Sequence, residues 1–157
     1  MRNSHSALNR YCRMKTFIHL IIGLLLFVWQ LPQCLVGIGV ILFYVLSKKD
    51  IRYQDGIAVV KQFPAGGVSL GEFIIIHHYC DDEETRKHEL GHRRQSRMLG
   101  PLYLLIVGIP SVCLCLLAKK SKRINSTYFE HFPENWANKL GGVGNAKLKC
   151  DSEAKGE

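Results

Sequence analysis

The stretch Asp81-Asp82-Glu83-Glu84-Thr85-Arg86-Lys87-His88-Glu89-Leu90-Gly91-His92-Arg93-Arg94-Gln95-Ser96-Arg97-Met98-Leu99-Gly100-Pro101 decides how the chain is read. Its four acids supply an N-cap and first-turn charges that suit the positive end of a helix dipole, and Gly100-Pro101 stops the helix after Leu99. Within it His88-Glu89-Leu90-Gly91-His92 has the form H-E-x-x-H. The i, i+4 spacing stacks both imidazoles on one helix face, where they can ligate one zinc ion (Zn2+). Glu89 lies one residue round the helix and can reach water on such an ion. Zinc lowers the pKa of that water towards 7, and a glutamate placed there can take its proton and pass it to a leaving amine.

Upstream, 51–61 and 71–79 are rich in Ile, Val, Phe and Tyr and are separated by Phe63-Pro64-Ala65-Gly66-Gly67. They read as a β-hairpin or small sheet with a turn between the strands. Downstream, Pro133 stands where a helix would begin and Gly141-Gly142 where it would end, which predicts two turns of helix over 134–140. The tail beyond Asn145 is polar and reads as disordered.

The 157 residues allow about one modest core, which excludes a large multidomain enzyme, and 47% hydrophobic content excludes a disordered chain. Phe17 to Leu46 carries no Asp, Glu, Lys or Arg and is interrupted only by Trp29-Gln30-Leu31-Pro32-Gln33. Either half alone is about 20 Å as helix against roughly 30 Å of hydrocarbon, so one kinked span or a tight helical hairpin is expected. A cleaved leader should give way to a polar chain, and this one continues apolar. A second apolar run, 101–118, is broken by Gly108-Ile109-Pro110 and can span or re-enter.

The net charge of +8 resides in basic flanks on both sides of both runs: Arg10, Arg13 and Lys15; Lys48 and Lys49; Arg93, Arg94 and Arg97; Lys119, Lys120, Lys122 and Arg123. Positive residues collect on the cytoplasmic side, so each run is expected to enter and leave the membrane there. The basic excess thus suits membrane lipids, and a nucleic-acid role has no aromatic-basic platform behind it. Six cysteines without a C-x-x-C pair exclude a disulfide scaffold and leave metal binding to His and carboxylate.

On the H-E-x-x-H helix behind a small sheet, the chain resembles the zincin metalloproteases over roughly 71–142. That resemblance implies an active-site helix packed behind a sheet whose exposed edge strand binds substrate. The metzincin branch extends the motif to a glycine and a third histidine, where this sequence has Gln95 and Met98. The gluzincin branch takes a later glutamate, with an acid four residues beyond it to orient a zinc-bound histidine. Glu134-Asn135-Trp136-Ala137-Asn138 has that spacing, with Asn138 in place of the acid. The resemblance therefore implies zinc ligands His88, His92 and Glu134, a general base Glu89, and an uncharged orienting group Asn138. Gln95 to Tyr103 also looks like small bacterial membrane proteins bearing the same H-E-x-G-H helix, which implies the bacterial inner membrane with the site on its cytoplasmic side.

Glu134 can touch the same metal as His88 only if 101–118 re-enters. Glu130 and His131 are alternative ligands within one turn. His77 and His78 point to opposite faces of a strand, so at most one can face a metal. Tyr103, Tyr128 and His131 are candidate donors to an oxyanion. The expected arrangement is α+β: a basic leader (1–15), a membrane segment (16–47), a zincin-like domain (48–142) with a small sheet and the second hydrophobic segment, and a tail (143–157). The expected function is zinc-dependent hydrolysis of a protein or peptide near the bilayer. The alternative is a noncatalytic membrane-anchored interaction protein whose structural zinc would need a fourth ligand from His131, Cys150 or Asp151. A site-two-like intramembrane protease is disfavoured, because its second, aspartate-containing motif is missing.

Overall fold

Asp55 and Gly56 hold φ of +53° and +77°. Two consecutive positive φ values make the turn that a right-handed strand twist favours for a hairpin. The run read as one strand therefore folds back on itself, as β1 (Ile51–Gln54) antiparallel to β2 (Ile57–Val60), with Tyr53 opposite Ala58. Gly71, at φ +66°, makes the second reversal, between β3 (Gly67–Leu70) and β4 (Phe73–His77). The two predicted strands are thus four, and Gly67 opens a strand where the sequence suggested only a turn. The sheet order is β1-β2-β4-β3, with β2 and β4 parallel and β3 at one edge.

The computed structural model describes residues 2–144, so the predicted disorder beyond Asn145 lies outside the described residues, as do Cys150 and Asp151. Period-two alternation gives the sheet two apolar faces. Ala58, Val60 and Ile75 pack with Tyr44, Val40 and Ile41 of α2 (Leu31–Leu46). Ile57, Val59, Ile74, Ile76 and Cys80 line the other face. Gly67 pairs with Ile76 and shares that second face, and the space a Cβ would fill there is taken by the Glu89 carboxyl. Helix α3 (Glu83–Leu99) therefore covers this face, and the sheet lies between α2 and α3.

Helix α3 begins where its acids predict: Asp82 Oδ1 accepts from the Thr85 N–H at 2.8 Å. The last helix, called α6 here after α4 and α5 below, runs Glu134–Gly141 and ends on Gly142 in the left-handed conformation. It lies against α3 so closely that a Cβ on Gly91 would overlap the Ala137 carbonyl, and one on Gly141 would overlap the Lys87 carbonyl.

Helix α1 (Arg2–Trp29) joins the basic leader to the first apolar run, and α1 and α2 meet at 94°. No single helix among the described residues is long and apolar enough to cross a membrane; the bent pair together has the length and hydropathy. The bend falls at the Trp29-Gln30-Leu31-Pro32-Gln33 interruption, and polar contacts hold it. The Trp29 indole N–H donates to the Arg97 carbonyl at 3.1 Å. Gln33 Nε2 donates to Ser96 Oγ and the Gly100 carbonyl at 2.9 and 2.8 Å, and Gln30 Nε2 donates to Glu72 at 3.0 Å. Both glutamines are fully buried. Their amide N–H groups would be costly to bury unpaired, so the break is anchored to the end of α3 and to Glu72. The second run is also broken: a tight turn over Gly100–Leu102, a wide π turn over Leu104–Gly108, then α4 (Ile109–Lys120) with Pro110 in its first turn. A short α5 (Lys122–Ser126) leads the chain back to α6 beside α3.

Glu72, in the β3–β4 turn, receives hydrogen bonds from Arg93, Arg97 and Gln30 and so ties the sheet, α3 and the α1–α2 break together. Burial works to raise its pKa, but hydrogen bonds from Arg97, Arg93 and Gln30 outweigh that and lower it from the ordinary 4.5 to about 2. A depressed carboxylate stabilises the fold fully above its unfolded pKa and loses that contribution as pH falls towards the folded value. Glu72→Gln is expected to cost about 1–3 kcal/mol at pH 7. Thermal unfolding in detergent should show the gap between wild type and Glu72→Gln closing between about pH 5 and pH 2; a gap independent of pH would refute the assignment.

Candidate metal centre

One turn of α3 separates His88 from His92, and the close crossing at Gly91 lets the start of α6 reach both rings. His88 Nε2 and His92 Nε2 are 3.1 Å apart, and Glu134 Oε2 lies 3.0 and 3.1 Å from them. All three side chains are buried. Among the described residues, these are the ligand-type donors that converge as a group.

The other ring nitrogens determine what this triangle contains. His88 Nδ1 faces Asn138 Oδ1 at 2.7 Å, and His92 Nδ1 faces Gln95 Oε1 at 2.8 Å. The orientation of Gln95 is set by its own Nε2, which donates to the Pro133 carbonyl at 3.1 Å. Amide oxygens only accept, so both Nδ1 atoms carry the proton, and in neutral imidazoles both Nε2 atoms hold lone pairs. Two lone pairs and a carboxylate oxygen meeting at about 3 Å repel unless a metal ion or an added proton stands among them. Zinc bonds of about 2.0–2.1 Å to N and O, at angles near tetrahedral, place ligand atoms a little over 3 Å apart, so the donor set and its spacing fit zinc.

Ser111 of α4 donates to Glu134 Oε1, leaving Oε2 turned to the histidines, and the Tyr128 phenol bonds the same serine. Glu89 is buried beside the triangle against Gly67, and its Oε2 has no hydrogen-bond partner. Burial raises its pKa to about 7, with His88 opposing and the Glu134 charge adding to the shift.

The alternative candidates lie elsewhere. His131 is exposed and bonds Thr127 at 3.0 Å, and neither it nor Glu130 joins the group. His77 Nδ1 accepts from the Tyr79 N–H, and its ring and that of His78 pack with Tyr79. Tyr103 and Tyr128 line the same cavity as the triangle, although the Tyr103 hydroxyl is committed to the Ser69 carbonyl at 2.9 Å. Trp136 stacks on Phe132. Cys113 and Cys115 of the second apolar run both line the cavity.

Three contributors were missed in the sequence. Gln95 occupies the place where the metzincin pattern has glycine, and Ser111 is a lone hydroxyl inside an apolar run. Gly91 is the variable glycine of the motif, whose only signal is its smallness. No family model, curated protein or solved structure matches the chain, and the zincin likeness rests on the motif residues alone.

Two substitutions probe this geometry. Asn138→Leu removes the acceptor that orients His88 and should weaken zinc binding by about 10–100-fold in a competition titration, whereas Asn138→Asp should bind at least as tightly as wild type. Gly91→Ala should force the helices apart, costing about 1–3 kcal/mol and weakening zinc binding in parallel. Wild-type affinity in Gly91→Ala would mean that the crossing does not set the site.

Proposed function

We propose that the chain is a membrane-associated, zinc-dependent peptidase in which His88, His92 and Glu134 hold the metal and Glu89 is the general base. The observation that carries this reading is the buried convergence of three lone-pair donors beside a partnerless carboxylate, inside a cavity bordered by a sheet edge. Zinc bound there would supply a Lewis acid and lower the pKa of its water towards 7.

The remaining steps belong to the chain's own residues. His88 and His92 bind through Nε2 because Asn138 and Gln95 hold their Nδ1 protons. Glu134 contributes one oxygen while Ser111 occupies the other. Hydrolysis adds the oxygen of water to the scissile carbonyl carbon and breaks the C–N bond. Glu89 accepts the water proton on Oε2 and delivers it to the departing nitrogen. A carboxyl poised near neutrality can do both.

Substrate binding is assigned to β3. Its register on β4, in which His77 N–H donates to the Gly66 carbonyl, turns the backbone groups of Gly67 away from the sheet, while the outward Ser69 carbonyl accepts from Tyr103. An extended peptide can add to that edge through main-chain hydrogen bonds, next to Glu89. Among the described residues three donors converge, the number a catalytic zinc site takes from the protein, with the fourth position left for water.

Detergent-purified protein should contain about one zinc per chain, lost in His88→Ala and weakened in Glu134→Ala. Glu89→Gln keeps the side-chain volume against Gly67, so it should retain the metal and lower cleavage of casein by at least about 100-fold. Undiminished turnover in Glu89→Gln would exclude that residue as the base.

A further inference from the structure

The cavity over the donor triangle has a volume of about 730 Å³. One wall is the β3 edge with Glu89; the other is built from the hydrophobic segments. Its rim is the informative part. Val36 of α2 and Ile109 and Val112 of α4 line the cavity and are nonetheless 46%, 56% and 60% exposed. The opening therefore lies on the apolar surface of the two segments, which also exposes Leu35 and Phe43 on α2, Leu105 in the π turn and Leu116 on α4. A water-soluble protein rarely leaves such a surface bare, and an aqueous substrate gains nothing from a mouth rimmed by Ile and Val. At the far end of the cavity the lining turns polar, with exposed Lys119 and Asn125, and the basic run Lys119, Lys120, Lys122 and Arg123 follows directly. Apolar rim at one end and cationic rim at the other match the boundary between acyl chains and anionic headgroups.

We propose that this cavity opens onto the acyl-chain side of a bilayer, between α2 and α4, and that its substrate is an apolar segment of a membrane-embedded polypeptide. This rests on the peptidase reading and specifies its substrate class. The segment leaves the lipid through the gap at Val36, Ile109 and Val112, pairs with the outward groups of β3, and places a large apolar side chain against Leu70 and Leu104. Ser111 fits the same picture: it lies in the middle of the second apolar run and touches Glu134, so the donor triangle sits level with the centre of that run.

The test uses the full-length, zinc-loaded chain in nanodiscs of phosphatidylcholine and phosphatidylglycerol, with p-benzoylphenylalanine in place of Val112, or of Val36 if the first variant does not fold. Irradiation should give phospholipid adducts, and an added leucine-rich, bilayer-inserted peptide should replace them with peptide adducts. Absence of both from protein with full zinc content would overturn the lipid-facing mouth. In parallel, one scissile sequence is presented in the inserted peptide and in casein, with an expected preference of at least about tenfold for the inserted form, reduced in Val112→Asp and kept in Val112→Leu. Cleavage of casein without that preference overturns the substrate assignment and leaves the peptidase standing. Cleavage of neither by zinc-replete protein overturns the peptidase reading itself.

Discussion

The contact between α3 and α6 at Gly91 and Gly141 is the constraint on which the rest depends. The two helix backbones touch where a single methyl group would not fit, and that proximity allows a short glutamate side chain at the first position of α6 to reach two imidazoles on α3. A wider crossing, of the kind built from Leu or Ile, would leave a gap that only water could fill. The same closeness aligns Asn138 with His88 Nδ1, one turn along α6. One steric condition thus sets both the carboxylate oxygen that faces the two imidazoles and the amide that orients one of them.

The polar groups around the triangle form a hierarchy in which each fixes the next. The Pro133 carbonyl orients Gln95, Gln95 sets the tautomer of His92, and the lone pair so exposed meets Glu134. Buried hydrogen-bond acceptors of this kind are costly to leave unmatched, so the network stays single-valued even though its members come from distant parts of the chain. Glu89 stands outside it, with Oε2 unpaired.

The hydrophobic segments are bound into this arrangement by their interruptions. Gln30, Gln33 and Trp29 break the first run, and their hydrogen bonds to α3 and Glu72 convert an apolar stretch into a bent brace against α3. In the second run, Gly108 and Pro110 let the chain turn, and Ser111 reaches Glu134. Residues that a hydropathy profile registers as defects are the ones that connect the segments to the site.

Local signals determined the helix carrying His88 and His92, its cap at Asp82 and its end at Gly100, because capping and i, i+4 spacing act within one or two turns. They also marked Pro133 and Gly142 as the limits of α6. The Asp55-Gly56 hairpin was equally legible in principle, yet a continuous run of β-formers concealed it. Convergence of Glu134 with the histidines, 42 and 46 residues before it, was suggested only by likeness to a known pattern. The reason is physical: spacing along a chain states which faces residues share within one element, while the distance between elements depends on side-chain volume at their contact. Gly91, Gln95 and Ser111 acquire their roles only when α3, α4 and α6 are packed together, and so tertiary structure alone decided them.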